Sequence, residues 1–444
     1  MKNGKSLRKI GGKRRLVKII ETGTAEFEEY FQAVRNRKEI FSAELWKAVE
    51  GIVEDVILRG DDALFEYTAR WDGFSAAADN VEASADERKN AAQQVSAEDR
   101  KILQLAADRI GRFHEKQRLG SWTMTDEDGV ELGQMVLPLE RVGIYAPGGL
   151  ASYPSTVLMA GIPARIAGVG EIMLATPCQG GRLAPLMAAA AEIAGVKRIF
   201  KIGGAQAIAA MAFGTKSVPR VDKIVGPGNA YVAAAKKIVF GRVAIDMIAG
   251  PSEVLIIADK TADACYAAAD LLAQAEHDRM AAAVLITPDR DLAGQVAAEV
   301  DKQLADLVRR EIAAGSLQNY GAAIVTADLE EAIDLANRFA PEHLELMIEN
   351  PRQYLSGIRN AGAVFLGMNT PEALGDYMAG PNHILPTGGT ARFASPLGVY
   401  DFYKRTSVLS FSRDALERYG VPTMRFAELE GLQGHGMSVR RRLK

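Results

Sequence analysis

The chain contains very little cysteine. Cys178 and Cys265 are the two cysteines among its 444 residues. Two thiols cannot make the disulfide framework of a small secreted protein or a metal site built from thiolates alone. We therefore expect a protein of the reducing cytoplasm.

Long apolar runs and a strong net charge are missing as well. No uninterrupted apolar segment reaches the roughly 18 residues that a membrane-spanning helix needs. The formal net charge is −3, from 53 basic and 56 acidic residues, so no strong field would attract nucleic acid or acidic lipid. The basic N-terminal segment lacks the apolar core of a signal peptide, and residues 1–21 are expected to be a solvated, disordered leader. Neither a membrane nor a nucleic acid is expected as a partner.

The hydrophobic pattern changes near Arg141. Residues 22–118 show mostly the 3.6-residue period of helices. After that, short β-type runs alternate with alanine-rich helical segments, first in RVGIYAP, EIMLATP, RIFKIGG and KIVGPG. A second series follows in EVLIIAD, AAAVLITP, AAIVTA and GAVFLG. Together they predict an α/β fold with two parallel-sheet units, each covered by helices on both faces.

Two of the β runs end in glycine just before a helix. Gly203 and Gly204 precede Gln206, and the GPG turn at 226–228 precedes Asn229, a residue suited to an N-cap. Free N–H groups at such helix starts can bind an anion. The dinucleotide fingerprint GxGxxG follows no strand, so the turns alone indicate a phosphate or nucleotide site only weakly. For a single turn of this kind, tight chain reversal and capping remain the commoner explanation.

The histidines are few and unevenly placed. Four of the five lie in the C-terminal half beside acidic, glycine or proline residues: His277, His343, His383 and His435. The fifth, His114, belongs to no motif and is expected on a helix surface.

Each histidine motif is compatible with chemistry and with a simpler role. Gln274 and His277, three apart on one predicted helix face, can reach one metal ion, although a histidine at a helix end often only caps it. Glu342 and His343, which lead into a strand, can serve as base and water activator or lie in a solvated turn.

The other two motifs extend this set. Asp376 and His383 lie in a long loop broken by glycine and proline, whereas Glu430 and His435 fall near the C-terminus, in what could be a mobile tail. Amide, carboxylate and imidazole groups without thiolates together indicate a zinc site with N and O ligands.

Nine segments give the chain a family resemblance. They are YAPGG, GAQAIAAMAFG, GPGNAYV, AGPSEVLIIAD, LLAQAEHD, APEHLEL, GDYMAGPNHILPTGGTARF, DFYKRTSV and EGLQGH. In this order, from about Lys18 to the C-terminus, the chain resembles the histidinol dehydrogenases. The fold implied is α/β, with two Rossmann-like parallel-sheet domains, a helical N-terminal arm and a small C-terminal helical tail.

The expected organisation places the helical arm at 22–40. The main α/β domain is discontinuous, with 41–144 and 252–396. The second α/β domain covers 145–251, and the tail covers 397–444.

The resemblance also implies roles for single residues. The zinc ligands would be Gln274, His277, Asp376 and His435, and the catalytic pair Glu342 and His343. The substrate would be held by the four ligands together with His343, Ser252, His383 and Glu430. NAD would be contacted by Tyr145, Gln206 and Asn229.

The implied activity is the oxidation of L-histidinol through L-histidinaldehyde to L-histidine, with one zinc ion per subunit, two NAD reduced and a homodimer sharing its active sites. Ile248, Gly398 and Tyr400 depart from the usual family pattern and leave room for a shifted specificity. One alternative is a related zinc-dependent dehydrogenase of another amino alcohol or diol. A non-redox zinc hydrolase or two-lobed binding protein is the other.

Overall fold

The computed structural model describes residues 15–37, 41–148 and 152–444. Its strands are β1 Lys18–Glu21, β2 Trp122–Thr125, β3 Glu131–Pro138, β4 Arg141–Tyr145, β5 Glu171–Ala175, β6 Arg198–Phe200, β7 Lys223–Val225, β8 Ala244–Ile245, β9 Glu253–Ala258, β10 Ala282–Thr287, β11 Ala322–Val325, β12 His343–Met347, β13 Ala363–Leu366 and β14 Tyr403–Ser410. Its α-helices are α1 Ala25–Asn36, α2 Ala43–Arg59, α3 Asp61–Asp72, α4 Ala85–Ala92, α5 Ala97–His114, α6 Pro154–Ala167, α7 Pro185–Ala194, α8 Gly204–Phe213, α9 Ala230–Val239, α10 Ala264–Ala275, α11 Arg290–Gln303, α12 Arg310–Tyr320, α13 Leu329–Phe339, α14 Glu372–Tyr377, α15 Arg413–Leu429 and α16 Gln433–Leu443.

The first sheet has six parallel strands in the order β1-β11-β10-β9-β12-β13. The sheet is buried on both faces, as strand β9 shows, because all six residues of that strand are buried. Val254 and Ile256 pack against α10 and α11, whereas Leu255 and Ile257 pack against α1 and α13. Because side chains alternate between the faces of a strand, an uninterrupted apolar run supplies both cores.

The second sheet has five parallel strands in the order β6-β5-β4-β7-β8. Helices α5, α6 and α7 cover one face, and α2, α8 and α9 contribute to the core on the other. The chain runs outward from β4 in both directions, to β5 and β6 on one side and to β7 and β8 on the other. Open α/β sheets bind ligands at such a switch point, beyond the carboxyl ends of the strands. Here that point lies next to Tyr145 and Gly226.

A third, antiparallel sheet of β2, β3 and β14 connects the two units to the C-terminal tail. The tail helices α15 and α16 pack on each other. Arg418 and Tyr419 of α15 bind the carboxylate of Asp128 in the β2–β3 turn. This sheet was not predicted from the sequence.

The fold class is confirmed, but two parts of the expected organisation differ. Residues 1–14 of the predicted leader lie outside the described residues, and 18–21 form strand β1, which pairs with β11. The prediction was wrong there because Val17 and Ile20 are buried apolar residues that outweigh the basic neighbours.

The helices of 41–114 also differ from their expected placement with the first sheet. Val49 and Val53 of α2 share a core with Ile208 of α8, and α5 packs on α6, so these helices cover the second sheet. The expected boundary at 144 falls inside β4. None of the helices in the described ranges combines the length and apolar composition needed to cross a membrane.

Candidate active site

Glu342 and His343 lie at the amino end of β12, in the interior of the first sheet. Helix α13 ends at Phe339 and is capped by Ala340, whose φ of 51° is left-handed, and Pro341 cannot continue a helix. The chain therefore turns sharply and presents Glu342 and His343 at the start of the strand. Both are buried, with 6% and 4% of their surface exposed.

The main chain of Glu253, on the neighbouring strand β9, holds both side chains. Its N–H donates to Oε2 of Glu342 at 2.9 Å, and its carbonyl accepts from Nδ1 of His343 at 2.9 Å. Nδ1 therefore carries the proton, and Nε2 is buried without a hydrogen-bond partner. Burial lowers the pKa of His343 to about 4 and raises the pKa of Glu342 well above its ordinary value. At neutral pH His343 is uncharged, with a free lone pair on Nε2.

Gln274 and His277 come together at the carboxyl end of α10. The helix ends at Ala275, so His277 lies in the following turn and not on the predicted helix face. The amide nitrogen of Gln274 donates to both carboxylate oxygens of Glu372, at 2.8 and 2.9 Å. In this orientation the amide oxygen takes the position 3.3 Å from Nδ1 of His277. An amide oxygen and an imidazole nitrogen so placed can share one metal ion.

Asp376 and His383 complete the cluster. Asp376 belongs to the short helix α14, not to an irregular loop. Its Oδ1 lies 3.9 Å from Nε2 of His343 and 4.0 Å from Nδ1 of His383. The Nδ1–H of His383 also donates to the main-chain oxygen of Asp376 at 3.0 Å.

The donor set fits a cation. Ligand atoms of His343, Glu372 and Asp376 all lie within 4.8 Å of one another. Burial raises the pKa of Asp376 to about 7 and that of Glu372 well above its ordinary value. These shifts reflect desolvated negative charge, which a bound metal ion would neutralise.

The other predicted substrate and metal residues differ in their placement. Ser252 precedes β9 at the same amino edge of the sheet. Glu430 and His435 are exposed on the C-terminal tail, and neither makes a hydrogen bond or ion pair with the cluster within the described part of the chain. A single chain thus brings together Gln274, His277, Asp376, Glu342, His343 and His383, but not the tail residues.

A cavity of about 970 Å³ lies at the switch point of the second sheet, and Tyr145, Gln206 and Asn229 line it. The N–H of Gly204 donates to the Tyr145 hydroxyl at 3.1 Å. Asn229 caps α9 as predicted, since its Oδ1 accepts from the N–H groups of Tyr231 and Val232. Gly226 is required nearby, because a Cβ there would overlap the main-chain oxygen of Tyr145.

Arg309 connects this cavity to the metal-binding cluster. It lines the cavity from the side of the first sheet, and its guanidinium donates to the main-chain oxygen of His277 at 3.4 Å. A ligand in the cavity can therefore extend to the loop that carries His277.

Sequence reasoning missed three residues of these sites: Glu372, Arg309 and Asp72, a further lining residue of the cavity. Of these three residues, only Glu372 could have been found from the sequence. It precedes Asp376 by four residues, so the two carboxylates share one helical face. The surface position expected for His114 was wrong. Its ring is fully buried at the end of α5, with Nδ1 bonded to the carbonyl of Ile110 at 2.9 Å.

Comparison with known proteins gives consistent matches. A family model described as histidinol dehydrogenase matches residues 35–443. The histidinol dehydrogenase of Geobacter metallireducens is 54% identical over 96% of this chain and 98% of its own length. That of Clostridium acetobutylicum is 46% identical over 97% and 99%. The crystal structure of histidinol dehydrogenase from Elizabethkingia anophelis superimposes with a TM-score of 0.91 at 39% identity, covering 97% of this chain and 99% of that one.

Proposed function

The chain belongs to the histidinol dehydrogenase family, and we propose that it is a zinc- and NAD-dependent enzyme that oxidises L-histidinol through L-histidinaldehyde to L-histidine. The observation that carries the chemistry is the environment of His343. Its Nδ1–H is bonded to the Glu253 carbonyl, and its unprotonated Nε2 is buried without a partner inside the cluster. A neutral imidazole in that state is a general base that awaits a substrate proton.

In the first oxidation, Nε2 of His343 takes the hydroxyl proton of histidinol. The adjacent C–H bond breaks, and its electron pair leaves as hydride to NAD, which gives the aldehyde and one NADH.

In the second oxidation, Glu342 takes a proton from a water molecule that adds to the aldehyde carbon. The hydrate then passes its hydride to a second NAD, and the carboxylate forms. Per histidinol, one water and two NAD are consumed and one carboxylate, two NADH and three protons are formed; His343 and Glu342 take up the first two protons, and the third leaves when the carboxylate forms.

Gln274, His277 and Asp376 would hold the zinc ion from this chain. The ion would supply a fixed positive charge that orients the amine and imidazole of the substrate. Ser252 and His383 would contact the substrate beside it. Tyr145, Gln206 and Asn229 would contact NAD in the cavity of the second sheet.

The remaining ligand, His435, would come from a second subunit. His435 and Glu430 lie on a tail with exposed apolar side chains, among them Val421, Phe426 and Leu429. An apolar surface of this kind indicates a protein interface. We place it against a second copy of the chain in a two-fold homodimer, where each tail completes the site of its partner.

The test is NADH formation from histidinol with and without a zinc chelator. We expect absorbance at the NADH band that the chelator abolishes and added zinc restores. Turnover of other amino alcohols in preference to histidinol would instead favour the related dehydrogenase, and absence of NADH with every alcohol would contradict a redox role. Cys178 and Cys265 are both free thiols, which supports our placement of the enzyme in the cytoplasm.

A further inference from the structure

Two buried acceptor atoms in the cavity of the second sheet lack hydrogen-bond partners. They are Oδ2 of Asp72 and Oε1 of Gln206. Asp72, at the end of α3, is 8% exposed, and Gln206 is 1% exposed. Buried polar atoms are nearly always satisfied, so a pair of orphans in one cavity points to a ligand that supplies donors.

Asp72 is held beside the amino end of α8. A Cβ on Gly203 would lie 3.3 Å from its Oδ2 and would also overlap Pro177, so the backbone approaches the carboxylate closely. Burial raises the pKa of Asp72 to about 6, although the Gly203 amide partly offsets this. The side chain is therefore predominantly an anion at neutral pH.

The cavity separates two kinds of charge. Asp72 lies on the wall formed by the second-sheet unit, and Arg309 lies on the wall formed by the first. A dinucleotide carries both matching features: its pyrophosphate offers only acceptors and negative charge, and its ribose hydroxyls offer donors. The pyrophosphate fits the guanidinium of Arg309, and a ribose diol fits the carboxylate of Asp72.

We propose that Asp72 binds the adenosine ribose hydroxyls of NAD and thereby selects NAD over NADP. This inference rests on the proposed function, in which the cavity takes the nicotinamide cofactor. The adenosine half would lie along the second sheet, and the nicotinamide would reach past Arg309 toward the His277 loop. A 2′-phosphate would set a second negative charge against the buried carboxylate, and the cationic side chain among the described lining residues, Arg309, belongs to the first-sheet side of the cavity.

The experiment compares kcat/KM for NAD and NADP in the wild type, in Asp72→Asn and in Asp79→Asn. Asp79 is an exposed carboxylate outside the cavity and serves as the matched control. We expect Asp72→Asn to lose about 10- to 100-fold in kcat/KM for NAD, as for a lost hydrogen bond to a charged group, while kcat/KM for NADP stays level or rises. The control should keep the wild-type preference.

A purely structural role would lower kcat/KM for both cofactors by the same factor, and an unchanged NAD to NADP ratio would overturn the proposal. Binding is measured separately through the fluorescence of Trp71, which lines the same cavity. NAD should change this signal in the wild type, and the Kd for NAD should rise in Asp72→Asn. If circular dichroism shows that Asp72→Asn does not fold, Asp72→Ser is measured in its place. Its ratio of kcat/KM for NAD to kcat/KM for NADP is then compared with that of the wild type.

These outcomes also separate the inference from the proposed function. A wild type that neither binds NAD nor forms NADH contradicts both. A wild type that uses NAD, together with an Asp72→Asn variant of unchanged selectivity, contradicts the role of Asp72 alone.

Discussion

The main-chain carbonyl of Glu253 accepts a 2.9 Å hydrogen bond from Nδ1 of His343. The N–H of the same residue donates to Glu342. The main chain of one residue, Glu253, therefore orients both members of the catalytic pair. The side chain of Glu253 forms a buried ion pair with Arg37 of the segment following α1. The strand that positions the chemistry is thus tied to the N-terminal helix.

The pairing of Glu342 with the Glu253 N–H leads to a prediction about stoichiometry. Limiting histidinol should yield two NADH per molecule and free histidine. Glu342→Gln keeps an oxygen for the Glu253 N–H but cannot take a proton from water, so it should spare the first oxidation more than the second. NADH yield per histidinol and product analysis check this. A yield of one NADH in the wild type, with released aldehyde, would rule out the four-electron reaction.

His277→Ala should remove zinc and activity and leave the fold intact. His277 is exposed beyond the end of α10, so its loss opens no cavity in the core. Metal analysis of the purified protein and circular dichroism are the two measurements. Glu276→Ala, one residue away, is the matched control and should retain its zinc. Full occupancy in the His277 variant would disprove its role as a ligand.

Glu372 should set the orientation of the Gln274 amide. Both of its carboxylate oxygens accept from the amide nitrogen of Gln274, which leaves the amide oxygen facing His277. Glu372→Gln replaces one acceptor by a donor, and the amide of Gln274 can then turn. Zinc affinity should fall by about 10- to 100-fold, as is typical when a group behind a metal ligand is lost. Competition with a chelator of known affinity measures this without an activity assay, and wild-type affinity would argue against the role.

The parallel sheets could be predicted because runs such as that of β9 are apolar on both faces and end in turn residues. Asn229 could be placed at a helix start because capping depends on local chain chemistry. Strands β2, β3 and β14 could not be predicted, since most of their residues are not buried and no long apolar run marks them. Strands β2 and β3 form a hairpin, but β14 pairs with β3 from a distant part of the chain, and the fold alone determines that contact.

The same distinction applies to the site. Gln274 and His277 are neighbours in sequence, so a metal pair could be suggested from spacing. Asp72 and Arg309 face one cavity from two different units, and no sequence period links them. His114 has polar and charged neighbours in sequence, and its burial follows only from how α5 packs.

Mixed dimers test whether the tail crosses between subunits. His343→Ala and His435→Ala should each be nearly inactive alone. In a mixed dimer one site takes its core from the His435→Ala chain and its tail from the His343→Ala chain, so that site is intact. With random reassortment about half the dimers are mixed and half of their sites are whole, which gives roughly a quarter of wild-type activity.

Co-refolded chains with two different affinity tags show that mixed dimers form. As the control, each variant is co-refolded with a differently tagged copy of the same variant, and these dimers should stay inactive. If tagged mixed dimers recover no activity, the tail acts within its own chain.

The carboxyl of Asp72 should lower the stability of the unliganded protein as pH rises. Folding raises its pKa from 3.8 to about 6, so the folded state holds the proton more tightly than the unfolded state. Its stabilising contribution is therefore present at low pH and is lost as pH rises through about 6. Above that pH, Asp72→Asn should be more stable than the wild type by up to about 3 kcal/mol, and the stabilities of the two proteins should converge toward pH 4.

Thermal midpoints at pH 5 and 7.5 measure this difference, and saturating NAD should raise the midpoint of the wild type more than that of the variant. Asp79→Asn should show neither effect. A difference between Asp72→Asn and the wild type that stays constant with pH would mean that folding does not shift the pKa of this carboxyl.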